Sequence, residues 1–216
     1  MAYRNIIVIA VLTGDLVDST QLDKQAYATS LKVMETLFKQ FSDAYQARYE
    51  LYRGDAFQLV FTQPQFVMRC AIMLKLALHS HAELPHPVRV NLSVGLGDYK
   101  FLDDKNSRSQ GEAFELSGRG LDKNSKGSLS VHCAQKRLAD IFDLSTQFLD
   151  RLLGGLTVKQ ARVLLSYIQY DFPDQQTIAD KIGTGRQNIN LHLNRLGSEL
   201  VYNYIQHFEQ LLTESS

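Results

Sequence analysis

Two aspartates and one polar helix are the places in this chain where residue type and spacing could do chemistry. Asp15 follows the apolar run Ile6-Ile7-Val8-Ile9-Ala10-Val11-Leu12 and a Thr13-Gly14 step, and Asp55 stands in a Gly54-Asp55 turn between the runs 48–53 and 56–62. Paired carboxylates are hard oxygen donors suited to Mg²⁺ or Mn²⁺, and such an ion would in turn hold the phosphates of a nucleotide. The stretch Leu16-Val17-Asp18-Ser19-Thr20 between the first run and the next helix would offer free backbone N–H groups to the same phosphates. Each aspartate alone also has an ordinary job open to it, capping a helix or turning a hairpin.

The second place is the segment 175–196. Ala179 lets two helices approach closely, Gly183 permits a tight left-handed turn, and Ile178, Ile182, Ile189 and Leu193 are spaced to fill the seam between them. The second of these helices would expose Thr184, Arg186, Gln187, Asn188, Asn190, His192, Asn194 and Arg195, with no acid between Lys181 and Gly197. Asn and Gln can donate and accept together at adenine, Arg can grip guanine, and Lys181, Thr184 and Arg195 can hold phosphates of double-stranded DNA. Arg186, Gln187, Asn190 and Asn194 are placed nearest the bases. Packing or dimerisation without DNA is the plainer use of the same three-helix pattern.

The elements that must position these residues follow from periodicity. The run 6–12 reads as a buried strand, and 21–47, with Tyr27, Leu31, Met34, Leu37, Phe38, Phe41 and Tyr45, as an amphipathic helix started by Ser19 or Thr20. Arg48–Arg53 and Ala56–Thr62 form a hairpin, Pro64 opens a second helix, and Val88–Gly95 alternates as a half-buried strand should. The order is β-α-β-β-α-β, the split βαβ or ferredoxin-like arrangement, in which the end of the first strand and the hairpin tip share a sheet edge. Residues 97–110 read as an exposed loop, followed by a helix at 112–121, a strand at 128–132 and a helix at 135–152. Gly154-Gly155 is the expected hinge, and everything beyond it reads as helix, ending in an apolar stripe, Leu200, Val201, Tyr204, Ile205, Phe208 and Leu211-Leu212, that must pack on the preceding helices or on a second subunit.

The stretch Thr13-Gly14-Asp15-Leu16-Val17-Asp18-Ser19-Thr20, followed by Arg53-Gly54-Asp55-Ala56-Phe57-Gln58-Leu59-Val60-Phe61, resembles the two metal-binding motifs of class III nucleotidyl cyclases and, more distantly, the GGDEF hairpin. Gly111 to Arg119 lies where those enzymes carry an Asn and Arg helix. The chain as a whole is most similar to SatD-like proteins, which join a cyclase-homology domain to a DNA-binding helix-turn-helix. The resemblance implies an α+β, ferredoxin-like (βαββαβ) nucleotidyl cyclase-like domain at 1–153 and a small all-α helix-turn-helix domain at 156–216. It also implies metal at Asp15 and Asp55, a nucleotide or cyclic nucleotide ligand at Leu16, Val17, Ser19, Thr20 and Arg119, and a homodimer. The sequence departs from the cyclase pattern at the purine-selecting Lys, where it has Leu51, and at the ribose-orienting Asn, where it has Glu115; the acidic base selector falls near Arg108. A carboxylate beside a triphosphate adds repulsion where cyclisation gathers negative charge, so the expectation is a degenerate domain with no catalytic residue rather than an efficient enzyme.

Composition bounds the rest. The 216 residues carry 23 Lys+Arg and 23 Asp+Glu, and 44% are hydrophobic, which excludes disordered, collagenous and strongly basic classes. The part beyond Leu156 has five cations against six acids, so it is no general electrostatic DNA coat, and affinity is expected to depend on pairing two half-sites. Cys70 and Cys133 have no metal spacing, and with no membrane span and no signal peptide in view the expected location is cytoplasmic. The leading expectation is a transcription regulator; an active cyclase and a non-enzymatic scaffold are the alternatives.

Overall fold

The computed structural model describes residues 8–52, 54–100, 102–103 and 105–215. Its first element is β1 (Ile9–Leu16), which continues through Thr13-Gly14-Asp15 rather than stopping at Leu12. Ile6 and Ile7 lie outside the described residues. Gly14 does not break the strand because its missing side chain is needed inside the sheet, where a Cβ would sit 2.5 Å from the Asn91 carbonyl oxygen and 2.6 Å from the Phe57 ring. A glycine in a strand here marks close approach, not an end.

Helix α1 (Lys24–Tyr45) starts later than expected, and its cap is Asp23, whose carboxylate accepts the Ala26 N–H at 2.8 Å. Ser19 and Thr20, expected to cap it, form a short 3-10 turn instead. The hairpin is β2 (Arg48–Tyr52) and β3 (Ala56–Phe61), with Arg53 outside the described residues. Helix α2 (Val67–Ser80) follows a 3-10 turn at Pro64–Phe66, and β4 (Val90–Gly97) follows it. The expected half-buried alternation of β4 is corrected to burial on nearly every residue, because helix α3 (Glu112–Lys123) lies over its second face. Gly95 makes that possible: a Cβ there would be 2.1 Å from the Ala113 carbonyl oxygen. Strand β5 (Leu129–Cys133) then pairs parallel to β4.

The described sheet has the order β2-β3-β1-β4-β5, with β3 antiparallel to β1 and β2, and β4 antiparallel to β1. Ala10, Leu12 and Leu16 of β1 face the main core, and Ile9 and Val11 face a second, smaller cluster with Val60, Ala113 and Phe114. The loop 97–110 is not simply exposed. Asn106 is buried and donates from its amide to the carbonyls of Arg48 and Gln58.

Helix α4 (Lys136–Gly154) is capped by Gly155, and α5 (Val158–Gln169) begins with a capping box between Thr157 and Gln160. Helices α6 (Gln175–Ile182), α7 (Arg186–Leu196) and α8 (Ser198–Ser215) complete the chain. The apolar stripe of α8 packs on α2, α4 and the turn before α2, with Val201, Ile205, Phe208 and Leu212 buried. One hydrophobic cluster runs continuously from β1 to α8, and α5 packs along α2. Cys70 and Cys133 are buried free thiols.

Candidate functional site

Sheet register lines up the polar residues of the face opposite the main core. Glu50 opposes Gln58, Gln58 opposes Thr13, Thr13 opposes Ser93, and Ser93 opposes Ser130. Residues opposite one another project from the same face, so this is one polar row crossing all five described strands. Helix α3 covers the Ser93 end of it. On the β1-β3-β2 side the row stays half-exposed and hydrogen-bonded: Gln58 donates to Thr13 Oγ1 at 3.3 Å, and the Thr13 and Ser117 hydroxyls share a bond of 2.9 Å. The Tyr52 hydroxyl donates to Glu50 Oε2 at 3.1 Å. Burial, and then the neighbouring Glu50 carboxylate, raise the Tyr52 phenol well above its ordinary value, so it stays protonated and a donor.

Asp15 occupies the next position along β1, opposite Asn91. The Asn91 amide donates to Asp15 Oδ1 at 3.0 Å, while Asn91 Oδ1 accepts the Gly127 N–H at 2.6 Å. That backbone donor fixes which way the amide points, because an N–H can only meet the carbonyl oxygen. Asp15 is therefore held in one orientation by Oδ1, and no hydrogen bond from a described residue reaches Oδ2. Asp55 is half-buried in the hairpin turn, and the pairing of Gly14 with Phe57 puts that turn at the same edge of the sheet as Asp15. The donor set is two carboxylates; among the described residues no group of three or more His, Cys, Asp or Glu could hold a metal. Two carboxylates at this edge would suit Mg²⁺ or Mn²⁺, whose charge would neutralise phosphate oxygens, and would suit zinc poorly.

The other expected ligand residues divide. Leu16 and Val17 are buried, and the Val17 N–H is already bonded to the Arg89 carbonyl at 2.9 Å, so it has no hydrogen left for an anion. Ser19 is half-buried and Thr20 is exposed, both beside Asp18, which sits at φ 51°. The Asp18 carboxylate takes the Lys126 ammonium and lies 3.9 Å from Arg89, so this edge carries two cations and an acid in addition to Asp15 and Asp55. Arg119 is on the outer face of α3, paired with Glu115 at 3.3 Å, while Ser117 and Gly120 of the same helix meet the sheet. It is not brought to Asp15. Leu51 packs against the main core, on the opposite sheet face from Glu50 and Tyr52.

Sequence reasoning missed Asn91, Arg89, Lys126, Glu50 and Tyr52. The signal for Asn91 was present as a polar residue in an apolar strand directly across from a singled-out aspartate. Its pairing partner could be named only once the register was known.

The polar helix is built locally. Asp174 caps α6 by accepting the N–H groups of Gln176 and Thr177 at 2.9 and 3.1 Å, and the Thr177 hydroxyl, followed by these N–H groups, holds its carboxyl below the usual range. Gly183, at φ 74°, ends α6, and both its N–H and that of Thr184 return to the Ala179 carbonyl. Ile178, Ala179, Ile189 and Leu193 are buried between the helices. Arg186, Gln187, Asn188, Asn190, Asn194 and Arg195 are exposed, as is Lys181, whose ammonium sits 3.9 Å from the centre of the Tyr170 ring. Asn190 Oδ1 accepts from both Gln175 and Asn194, and Asn188 donates to Thr184, so three of the amides already have partners that a new ligand would have to displace.

One buried cation ties α2 to the C-terminal helices. Arg69 of α2 is 7% exposed and makes a two-point contact with Glu209 of α8, at 2.7 and 3.1 Å, and a third bond to Asp171 at 2.8 Å, with Phe172 5.0 Å from its guanidinium carbon. Burial alone would weaken its charge; the hydrogen bonds to Glu209 and Asp171 outweigh that and push its pKa up. Asp171 and Phe172, which lead into α6, are both left-handed, at φ 58° and 55°. Such backbone persists in non-glycine residues only where contacts hold it, and Arg69 holds both.

No family model matches the chain, and no curated protein matches it. Solved structures with some similarity include an adenylate/guanylate cyclase/hydrolase from Silicibacter pomeroyi, at 20% identity and TM-score 0.48 over 65% of this chain and 79% of that one. The dimeric guanylyl cyclase domain of the RhoGC fusion protein from Blastocladiella emersonii aligns at 15% identity and TM-score 0.46, over 58% and 79%. The guanylate cyclase domain of RhGC from Catenaria anguillulae, in complex with GTP, aligns at 13% and 0.41, over 57% and 76%.

Proposed function

We propose that this chain is a DNA-binding regulator in which the N-terminal sheet, a ferredoxin-like and cyclase-like domain, takes a phosphate-bearing ligand and the C-terminal helices, a helix-turn-helix domain, read duplex DNA as a homodimer. The observation that carries the reading is the exposed side of α7, where Arg186, Gln187, Asn190 and Asn194 lie on one side of the exposed Leu191 and Asn188 and Arg195 on the other, on a helix with no acid of its own. Side chains that donate and accept in pairs are what the major groove distinguishes, while the net charge of the region is too low for indiscriminate binding. Lys181, Thr184 and Arg195 serve the phosphates, and Arg186, Gln187, Asn190 and Asn194 the bases. Gel-shift selection from a genomic fragment library tests it. A retained fragment whose binding falls with Arg186→Ala and with Gln187→Ala supports the reading, and binding unchanged in both refutes the groove assignment.

At the sheet edge the proposal is a nucleotide-type ligand bridged by Mg²⁺ or Mn²⁺ at Asp15 and Asp55, with Ser19, Thr20, Lys126 and Arg89 beside its phosphates. The metal, when bound, supplies charge neutralisation for the phosphate oxygens. Asn91 orients Asp15, and Tyr52 and Gln58 present neutral donors along the adjoining row. With Glu50 on the same face, Arg119 turned outward, and Lys126 and Arg89 already shared with Asp18, the site is proposed to sense rather than to turn over. Ligand must bind one dimer geometry better than another to alter DNA binding. A thermal-shift screen of nucleotides and cyclic dinucleotides, with and without Mn²⁺, should find a ligand whose stabilisation disappears in Asp15→Asn. Rapid formation of a cyclic product in the same mixtures would make the chain a cyclase instead.

A further inference from the structure

Helix α4 has an outward face that nothing in the described chain covers. Phe148 is 70% exposed, Leu144 60% and Leu200, at the start of α8, 66%; these are the three most exposed large apolar side chains among the described residues. Leu144 and Phe148 are one helical turn apart, and Leu152, one turn further, approaches the Cβ position of Gly197 at 3.4 Å, where Leu200 also arrives at 3.7 Å. Ile141, Leu144, Phe148, Leu152 and Leu200 thus form one apolar stripe.

The charges at its ends say what covers it. At about 100° per residue, Asp140 and Arg151 fall on the same side of α4 as Leu144, one before the stripe and one after it, and both are exposed. A two-fold axis crossing α4 between Leu144 and Phe148 would pair the helix with an antiparallel copy of itself. That operation sets each Leu144 against the partner's Phe148 and each Asp140 against the partner's Arg151. The face repeats its apolar pattern and opposes its charges under that operation, as an isologous interface must. Arg137, also exposed, lies a further turn out along the stripe, beyond the pairing of Asp140 with the partner's Arg151; an anionic lipid surface would have no use for the alternation of Asp140 and Arg151.

We infer that the Ile141-Leu144-Phe148-Leu152 face of α4, with Leu200, is the surface through which two copies of this chain associate. The inference rests on the homodimer reading above and adds to it the residues and the axis. Leu200 follows directly on α7, so the same contact would carry two copies of α7 on one assembly. A patch of one helix and one side chain is small beside a standard interface, so the association should be weak and concentration-dependent in the absence of DNA.

Sedimentation equilibrium of the full chain over about two decades of concentration tests this directly. Asp140→Arg and Arg151→Glu should each weaken self-association roughly tenfold, and the double charge exchange should restore it to within about threefold of the wild type. Leu144→Glu with Phe148→Glu should give a monomer whose helical circular dichroism and melting point are unchanged, since neither side chain is in the core. A wild type that stays monomeric throughout overturns both the interface and the homodimer reading. A dimer indifferent to all these variants, or single variants that the charge exchange does not rescue, overturns the α4 interface alone and leaves the dimer standing.

Discussion

The sheet edge and the face of α7 hold their polar groups in opposite ways. Asp15 is fixed by a residue 76 positions away, which is itself fixed by a backbone N–H 36 positions further on, so its geometry exists only in the assembled fold. The amides of α7 are tied to one another and to Gln175, all within 15 positions, on a helix pair whose caps and turn are local. A site that must orient a small ion needs the first kind of support; a surface that adapts to a groove can use the second. Away from both, Arg69 ties α2 to α8 and to the turn before α6, with its guanidinium and Glu209 largely buried and Asp171 exposed.

The largest loss is expected for Arg69→Met. It keeps the volume but leaves Glu209, whose side chain is 17% exposed, without its cation. Losing one member of a buried pair costs about 3 kcal/mol or more, and most of the cost here belongs to Glu209 because Asp171 is 81% exposed. Denaturant unfolding should show that loss, and adding Glu209→Gln should recover part of it. An unchanged midpoint would mean that the two regions are joined by the apolar seam alone.

Asn91→Ala sharpens the difference between the regions at smaller magnitude. If Asp15 binds the proposed metal, removing the amide that orients it should weaken Mn²⁺ roughly tenfold, as followed by electron paramagnetic resonance. Equal affinity in Asn91→Ala would show that Asp15 needs no positioning. Wild type without Mn²⁺ affinity, alone and with nucleotides, would remove the metal from the account.

The smallest effect concerns pH. Burial lowers the pKa of His79, whose Nε2–H donates to the Leu156 carbonyl at 2.9 Å, and burial likewise lowers that of His132. Both favour the neutral ring when folded, so below the ordinary histidine value of about 6.5 the unfolded chain takes up protons first. Stability is then complete above that pH and falls as pH drops toward the folded values. Melting near pH 7.5 and near pH 5.5 should show the fall, and His79→Gln, which keeps a donor for Leu156, should reduce it.

What the sequence revealed follows the same division. The segment 175–196 was legible because its signals, a left-handed Gly183 and apolar residues at three and four, act over one or two turns, whereas its cap at Asp174 came only with the structure. The convergence of Asp15 and Asp55 on one edge was legible from strand order, since the hairpin tip must return beside β1. The end of β1 was not, because Gly14 resembles a stop when its crowding by Asn91 and Phe57 is unseen. Nor was the orientation of Arg119 away from the edge, or the occupation of the Val17 N–H by Arg89, which depend on how α3 and β4 dock. Arg69 gave no sign at all. It is one of two cations, with Lys75, in an apolar helix, and its partners lie 102 and 140 residues away.

The claim on which the functional account depends is that α7 reads base edges. Affinity for a selected duplex, measured by fluorescence anisotropy at one fixed salt concentration, should fall by about 1–3 kcal/mol in Arg186→Ala and in Gln187→Ala, with each variant also losing preference at a particular base pair. Variants that bind the selected duplex and unrelated DNA as the wild type does would contradict it.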